Sequence, residues 1–188
     1  YGLRRNSHQM FNPLRCQLIV YAPPKWQHLL PARPGEVITD PVSLIDLAPT
    51  VLAIAQVPQP PQMVGTSLLA RRDGTAPSLI FGSRNRMDER IDFVRTVTDG
   101  RYRYIRNYMP HKIYGQHIAY MFETPTTRVW KKLYDEGKLN AAQKKFWERK
   151  PFEELYDVTR DRDEVDNLAG REKAVLERLS LLDRFLPV

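Results

Sequence analysis

Histidine and cysteine side chains supply many nucleophiles, bases and metal ligands, and this chain holds only five of them. The single cysteine, Cys16, allows neither an internal disulfide nor a cysteine-based zinc site. No glycine-rich phosphate loop, paired-histidine zinc motif or Gly-x-Ser-x-Gly turn is present. The residue pattern alone therefore assigns no catalytic residue and no metal ligand. The four histidines are scattered along the chain: His8, His28, His111 and His117.

Charge is the second feature that could act on a partner. The net charge is +7, and residues 95–150 hold thirteen basic side chains against five acidic ones, whereas residues 151–188 hold six against ten. Such a basic segment either steers an anionic partner (nucleic acid, sulfated glycan or membrane surface) or forms a solvated face. Nucleic acid is the weakest of these partners, because Tyr102, Tyr104 and Tyr108 fit a strand pattern as readily as a base-stacking platform.

The composition indicates a packed chain that is rich in turns. Hydrophobic residues make up 42% of it, which favours a folded core, and fifteen prolines favour short elements. No apolar run approaches the ~18 residues that a membrane span needs. The first five residues lack the apolar centre of a signal peptide, and the chain does not begin with Met. We therefore expect a processed or truncated product whose targeting signal lies upstream.

Two elements are predicted in the N-terminal third. The apolar run at 18–22, ended by two prolines, is typical of a buried strand. Residues 44–55 place Leu44, Leu47 and Val51 at helical spacing, with Pro49 near the helix start, where its missing N–H costs little. The proline-rich segments 23–36 and 57–65 are predicted to be connections.

The remaining chain predicts a small antiparallel sheet with helices packed on it, an α+β fold. Strands are expected at 78–82, 92–98, 101–107 and 154–157, and Asp99-Gly100 is a hairpin signal between the second and the third. A helix capped by Asn140 is expected at 139–148. The last helix is expected at about 171–186, with Val175, Leu179, Leu182 and Leu186 on one stripe.

Two segments are more specific than these patterns. The first reads PVSLIDLAPTVL at 41–52, followed by GTSLL at 65–69; the second reads EELYDV at 153–158, followed by DRDEVDNLA at 161–169. In this order they resemble the sulfatase family of the alkaline-phosphatase-like superfamily. Arg162 stands where the family usually has Pro. The resemblance covers essentially the whole chain. It implies that residues 1–75 end the α/β catalytic domain and that residues 76–188 form the C-terminal subdomain.

Both segments are predicted to be structural rather than catalytic. Asp46 near a helix start is interpreted as a cap. Asp157 and Asp161 are expected to hold turns through their own backbone, and Asn167 is expected to cap the last helix. Packing beneath that helix is expected of Leu155 and Tyr156.

The stretch SRNRMDERIDFVR at 83–95 is similar to heparan N-sulfatase (sulfamidase)-like members. In that subgroup the loop after the first C-terminal strand faces the active-site pocket. The resemblance therefore implies that Arg84, Arg86 and Arg90 bind sulfate or carboxylate groups of the substrate, in bidentate fashion. It also implies that Asp88 accepts sugar hydroxyls. A salt-bridged surface loop is the alternative, and it remains open.

The family's reacting centre is expected to lie outside this chain. The resemblance implies a Cys/Ser-x-Pro-x-Arg motif whose first residue becomes formylglycine, and a calcium ion held by Asp and Asn side chains. No such motif occurs here, and Cys16 is followed by Gln-Leu-Ile. Tyr1 would replace a metal-binding Asn, and the cation expected near Asn6 is absent, with Arg4 or Arg5 as the nearest substitute. No metal ligand is transferred onto this chain.

These expectations describe the C-terminal part of a sulfatase that hydrolyses a sulfate ester or sulfamate on sulfated sugars such as glycosaminoglycans. The chain would supply scaffold and substrate contacts, partner the upstream part of the domain and be inactive alone. A homodimer is left open, and the resemblance implies an exported, periplasmic or lysosomal location. Two rivals remain: a non-catalytic polyanion-binding module, and a degenerate fragment without function.

Overall fold

The computed structural model describes residues 18–69, 79–87 and 89–183, and it describes no side chain for Met87 or Asp183. The chain divides into two compact units, here called the N-terminal unit, which ends at Ile80, and the C-terminal unit, which begins at Phe81. No helix among the described residues is long and apolar enough to cross a membrane. Several residues discussed above lie outside the described part: Tyr1, Arg4, Arg5, Asn6, His8, Cys16, Asp88 and Leu186.

The N-terminal unit contains the predicted helix. A 3-10 turn at Leu44–Asp46 leads directly into helix α1, Leu47–Ile54, and a separate 3-10 helix spans Pro24–Leu29. Pro49 lies in the first turn of α1, where the backbone N–H has no partner within the helix. The prediction for 44–55 is therefore confirmed, including the position of its proline.

The predicted strand at 18–22 is wrong. These residues have no regular structure, and Ile19 and Tyr21 are 86% and 80% exposed. A strand needs a neighbour to take its backbone hydrogen bonds, and the described residues of the N-terminal unit contain no other strand that could provide one. Apolar composition alone therefore misled the assignment.

The helical periodicity in α1 was right, but the stripe it defines is not the buried face. Leu44 is 75% exposed and Val51 is 62% exposed, whereas Asp46 and Pro49 are buried. Spacing determines which residues share a face, and only the neighbouring segments decide which face is covered.

Segment 66–68 covers the polar face of α1. The Asp46 carboxylate accepts hydrogen bonds from the Ser43 N–H (3.4 Å) and from the Thr66 N–H (3.0 Å). The Thr50 hydroxyl accepts from the Leu68 N–H at 2.8 Å and donates to the Asp46 carbonyl at 2.6 Å. Asp46 therefore closes a capping box with Ser43 at the start of the 3-10 turn, whereas its side chain makes no capping bond to α1 itself. Its carboxylate also joins the two halves of the first motif.

The C-terminal unit is built on a four-stranded antiparallel sheet in the order β1-β2-β3-β4. The strands are β1 at Ile80–Met87, β2 at Arg90–Thr98, β3 at Tyr102–Asn107 and β4 at Glu153–Asp157. The register of β2 and β3 pairs Val94 with Asn107 and Thr98 with Arg103, and β3 pairs with β4. The predicted hairpin turn lies between β2 and β3, and its Gly100 has φ +92°.

Four helices accompany the sheet: α2 at Ala119–Glu123, α3 at Pro125–Asp135, α4 at Ala141–Lys144 and α5 at Lys173–Asp183. The last helix packs against β2 and β3 with Leu179 fully buried. The predicted α+β fold is confirmed. The helix expected at 139–148 is shorter and continues as a 3-10 turn at Lys145–Trp147. Helices α2 and α3 were not predicted.

An aromatic cluster organises the segment between β3 and β4. Trp130 stacks on Phe146 at 4.6 Å between ring centroids, and Trp147 meets both rings edge-on. Asn140 caps α4 through a reciprocal pair of hydrogen bonds with Gln143, as predicted. The segment between β3 and β4, although rich in basic residues, therefore has its own hydrophobic core.

The polar residues of the second motif stabilise the loops after β4 and the edge of that strand. The Asp157 carboxylate accepts from the Thr159 N–H at 3.1 Å, which confirms the predicted turn. The Asp161 carboxylate accepts from the Asp166 N–H at 2.7 Å, five residues on, so it closes a longer loop rather than a side-chain turn. The prediction that Asn167 caps the last helix is wrong. Its side-chain oxygen accepts from the Leu155 N–H at 3.0 Å and its amide donates to the Glu153 carbonyl, so it replaces a strand neighbour at the edge of β4.

Replacing Gly65 should destabilise the N-terminal unit. Its φ is +100°, and a Cβ there would meet the Ile45 carbonyl oxygen at 2.6 Å. The left-handed conformation costs an L-residue about 1–2 kcal/mol, and the clash adds to that. Gly35, with φ +87° and an open surrounding, is the matched control. In urea unfolding, Gly65→Ala should lose more unfolding free energy than Gly35→Ala; equal losses would contradict the clash.

Candidate functional site

The arginines that the sequence singled out lie on the β1–β2 hairpin rather than on a loop. Arg84 and Arg86 are on β1 and Arg90 is the first residue of β2. The expectation of a loop after a strand ending near residue 82 is therefore wrong, because pairing with β2 extends β1 to Met87. Residues 84 and 86 are two apart on a strand, so they share one face of the sheet.

Arg84 forms a buried ionic group with Asp92 and Lys150. Its Nη2 lies 2.6 Å from Asp92 Oδ2, and Lys150 Nζ pairs with the other oxygen of the same carboxylate. The three side chains are 10%, 4% and 0% exposed. Arg84 thus ties β1 to β2 and, through Asp92, to the segment that precedes β4.

Burial of this ionic group disfavours its charged side chains, above all Lys150. Burial lowers the pKa of Lys150, and the neighbouring Arg84 charge acts in the same direction, while Asp92 opposes both. The Lys150 ammonium also lies 5.3 Å from the centre of the Tyr114 ring. The nearby Glu154 charge also favours the charged form of Lys150, but Asp92 is the carboxylate that both cations contact, so removing Asp92 would leave two buried cations without their direct counter-ion.

A second buried carboxylate, Glu154, lies on the same face of the sheet. It accepts hydrogen bonds from the Tyr114 hydroxyl, the Tyr156 hydroxyl (2.5 Å) and the Asn107 side-chain amide (2.7 Å). Burial, reinforced by the Glu154 charge, raises the pKa of both tyrosines far above the ordinary value. Three donors satisfy a charge that would otherwise be costly to bury.

Arg90 and Glu89 attach the hairpin to the segment that begins α2. The Arg90 Nε donates to the His117 carbonyl, and the Glu89 carboxylate accepts from the Ala119 N–H at 3.3 Å. Hydrogen bonds from its own backbone N–H and from Ala119 lower the pKa of Glu89 and outweigh desolvation, with Arg90 adding a favourable charge. Through its Nε, Arg90 therefore positions the hairpin against the segment that precedes α2.

Arg86 is exposed and lines an open depression between the hairpin and α2. Its other lining residues are Glu89, Ala119, Tyr120 and Glu123. The sequence had singled out Arg86 but neither Tyr120 nor Glu123, because no pattern predicted α2. Their i, i+3 spacing would have placed them on one face had the helix been recognised.

Most cations of the basic segment 95–150 are engaged within the fold. Arg95 donates to the Asn85 side chain, and Lys112 and Lys145 donate to backbone carbonyls. Ion pairs with acidic side chains of the described residues are formed by Arg101, Arg103, Arg106, Lys131, Lys132, Lys138 and Lys150. Fewer cations are therefore available to a ligand than the count of basic residues in this segment suggests.

The described residues do not fit the calcium ion that the resemblance implies. Across 18–69, 79–87 and 89–183, no three His, Cys, Asp or Glu side chains come together in a way that could hold a metal ion. Two of the buried carboxylates, Asp92 and Glu154, are taken up by cations or by hydroxyl and amide donors.

Comparison with known proteins identifies relatives. No protein-family model matches the chain. Two ulvan-active sulfatases of Formosa agariphila are similar to it. One is 36% identical over 149 residues, which are 77% of this chain and 25% of the relative. The other is 28% identical over 168 residues, which are 82% of this chain and 30% of the relative. The chain is homologous to sulfatases and spans about a quarter to a third of the length of these relatives.

Solved structures give a weaker match. A sulfatase structure from Bacteroides thetaiotaomicron aligns over 74% of this chain and 23% of its own, at 22% identity and a TM-score of 0.45. A structure of a 2-O GAG (glycosaminoglycan) sulfatase gives the same values. At this similarity the alignment says nothing about the site, and the α+β fold rests on the sheet and helices described above.

Tyr156→Phe tests the buried Glu154 group. At pH 7 it should lose about 1–3 kcal/mol of unfolding free energy, because a buried carboxylate loses a donor. The Tyr156 pKa is raised in the fold, so its contribution is complete below the ordinary value near 10 and is lost as pH rises above it. In urea unfolding from pH 7 to 11, the gap between wild type and variant should narrow above pH 10.

The matched control is Tyr21→Phe, since the Tyr21 ring is 80% exposed. It should leave the unfolding free energy at pH 7 within about 0.5 kcal/mol of wild type. A gap between wild type and Tyr156→Phe that stays constant through pH 11 would contradict the assignment of a raised Tyr156 pKa.

Proposed function

We propose that this chain is the C-terminal part of a sulfatase that hydrolyses a sulfate ester or sulfamate on a sulfated carbohydrate. The observation that carries the proposal is the 36% identity to an ulvan-active sulfatase over 149 residues. The motifs at 41–52 and 153–169, which resemble those of sulfatases, support it. Their polar residues stabilise the fold and take no part in a reaction, as a C-terminal part without reacting groups requires. The finer sulfamidase-like assignment rests on the stretch 83–95 alone.

In this proposal the chain contributes scaffold and substrate contacts. Arg86 is the best placed of the sequence-predicted contacts, because it is exposed and lines a depression. A guanidinium there can form two parallel hydrogen bonds with a sulfate or carboxylate group. Arg90 holds the wall of that depression through the His117 carbonyl. Arg84 acts indirectly, because its ion pair with Asp92 fixes the strand that carries Arg86.

The reacting groups belong to the part of the protein that precedes this segment in the family. A formylglycine would supply the nucleophile and a calcium ion would neutralise sulfate oxygens. The described residues bring together no group that could hold that ion. We therefore assign no chemical step to any residue of this chain.

A non-catalytic polyanion-binding module is the second candidate. The excess of basic side chains in 95–150 favours it, but seven of these thirteen cations pair with acidic side chains of the described fold. A binding face for a polyanion needs cations that can exchange their counter-ions for the ligand. The sulfatase proposal explains the motifs as well as the charge, so we prefer it.

The first test is activity. The purified 188-residue chain should release no sulfate from 4-nitrophenyl sulfate or from N-sulfoglucosamine, because it holds no Cys/Ser-x-Pro-x-Arg motif. A polypeptide extended upstream through such a motif should hydrolyse one of the two. Sulfate release by the 188-residue chain alone would contradict the assignment of the reacting groups to the upstream part of the protein. Hydrolysis of neither substrate by the folded longer polypeptide would overturn the proposed function.

Heparin binding separates the two candidates. Because the internal ion pairs occupy many cations, the chain should elute from a heparin column near physiological ionic strength, about 0.15 M, with a shallow dependence of affinity on salt. Arg128→Ala, which changes a basic residue for which no ion pair is described above, serves as a comparison. Retention beyond roughly 0.5 M salt with a steep salt dependence would favour the polyanion-binding module instead.

A further inference from the structure

We infer that an exposed apolar stripe on α1 and the turn before it is a docking surface for the upstream part of the same protein. This α1 stripe consists of Leu44, Leu47, Val51 and Ile54, which are 75%, 40%, 62% and 53% exposed. The inference deepens the proposed function and rests on it, because the proposed sulfatase supplies the partner. It identifies the surface that meets this partner and requires an apolar, uncharged surface on the partner's side.

The N-terminal unit has no apolar core among its described residues. In 18–69 and at 79–80, only Asp46 and Pro49 are buried. The C-terminal unit, in contrast, contains apolar clusters around Val94 and around Trp147. Burial of apolar side chains is the main favourable term in folding, so the N-terminal unit obtains most of it only when another surface covers its apolar residues.

Helix α1 buries its polar side rather than its apolar side. A helix at a protein surface normally directs its apolar stripe to the core and its polar side chains to water. In α1 and the turn before it, the Asp46 and Thr50 side chains instead accept hydrogen bonds from backbone N–H groups of segment 66–68. The α1 stripe stays exposed beside this covered polar side. A second covering surface would therefore enclose the helix.

The chemistry of the α1 stripe excludes a charged or lipid partner. Segment 44–57 contains one charged residue, Asp46, which is 2% exposed and holds backbone N–H groups. The stripe therefore offers no cation to a polyanion. Helices that lie on membranes carry Lys and Arg on their polar face, and this segment has neither. An apolar protein surface is the partner that fits.

Length favours the upstream part of the protein over a second copy. Helix α1 has eight residues, about 12 Å of helix, so two copies of it bury much less than the ~800 Å² per partner of a standard interface. The regions matched by this chain are only 25% and 30% of the two ulvan-active relatives. Most of the length of such a protein is therefore available to cover the stripe.

Hydrogen exchange of the α1 amides, read by mass spectrometry, tests the docking surface. It compares the 188-residue chain with a longer polypeptide that extends upstream through a Cys/Ser-x-Pro-x-Arg motif. Exchange at 47–54 should be at least tenfold slower in the longer polypeptide, because covering the stripe suppresses local opening of the helix. Equal exchange in the two polypeptides would overturn the inference.

Val51→Asp assigns the protection to the stripe. In the 188-residue chain it should change α1 exchange by less than about twofold, since residue 51 is exposed there and Asp and Val have similar helix propensities. In the longer polypeptide it should speed exchange tenfold or more, because it places a charge in an apolar contact. Val51→Ile, which stays apolar, should keep the protection. Tenfold faster exchange of Val51→Asp in the 188-residue chain would show that the stripe is already covered, which contradicts the inference.

The matched control is Val129→Asp, the same substitution at a residue that is 57% exposed on α3 of the C-terminal unit. It should leave α1 exchange unchanged in both polypeptides. Sedimentation and flotation with phosphatidylcholine vesicles identify other occupants. Dimers or vesicle binding that Val51→Asp abolishes, together with fast α1 exchange in the longer polypeptide, would overturn the inference in favour of a second copy or a lipid surface.

The outcomes separate the docking surface from the proposed function. Slow α1 exchange in a longer polypeptide that releases sulfate from neither test substrate would support the surface and refute the sulfatase proposal. Sulfate release by a longer polypeptide whose α1 amides exchange as fast as in the 188-residue chain would refute the surface and support the sulfatase proposal.

Discussion

The C-terminal unit depends on satisfying charge beneath its sheet. Asp92 is shared by Arg84 and Lys150, and Glu154 collects three hydroxyl and amide donors, all on side chains that are buried or nearly so. An unpaired charge in this position would cost several kcal/mol, so these partners must come together for the sheet to be covered at all. These side chains come from all four strands and from the segment before β4, and the exposed depression is built on one of the strands that they anchor.

The need to satisfy buried polar groups also explains why the two sulfatase-like motifs have a structural role. The Asp46 carboxylate is buried because it holds two backbone N–H groups, and the Asn167 amide takes the place of a missing strand at the edge of β4. Each polar side chain satisfies backbone groups that a helix start or a sheet edge leaves without partners. Their role is therefore structural, although the motifs that contain them are specific in sequence.

Charge has a different meaning in the sequence and in the fold. Counted along the chain, residues 95–150 form a basic segment, but Arg103 and Lys150 are buried against acids that lie far away in sequence. Glu164, the partner of Arg103, even adopts φ +55°, a conformation that a non-glycine residue rarely holds without support from its surroundings. Arg86, an exposed cation that lines a depression, lies outside the segment that composition highlighted.

The sequence by itself determined the elements whose signals are local: helix α1 with its early proline, the Asp99-Gly100 hairpin, the Asn140 cap and the sulfatase-like motifs. Tertiary structure decided the rest, because burial and pairing depend on neighbours that are distant in the chain. It left residues 18–22 exposed, gave Asn167 to a strand edge instead of a helix, and extended β1 through the predicted arginine loop. It also brought α2, which no pattern had predicted, against the hairpin to form the candidate site.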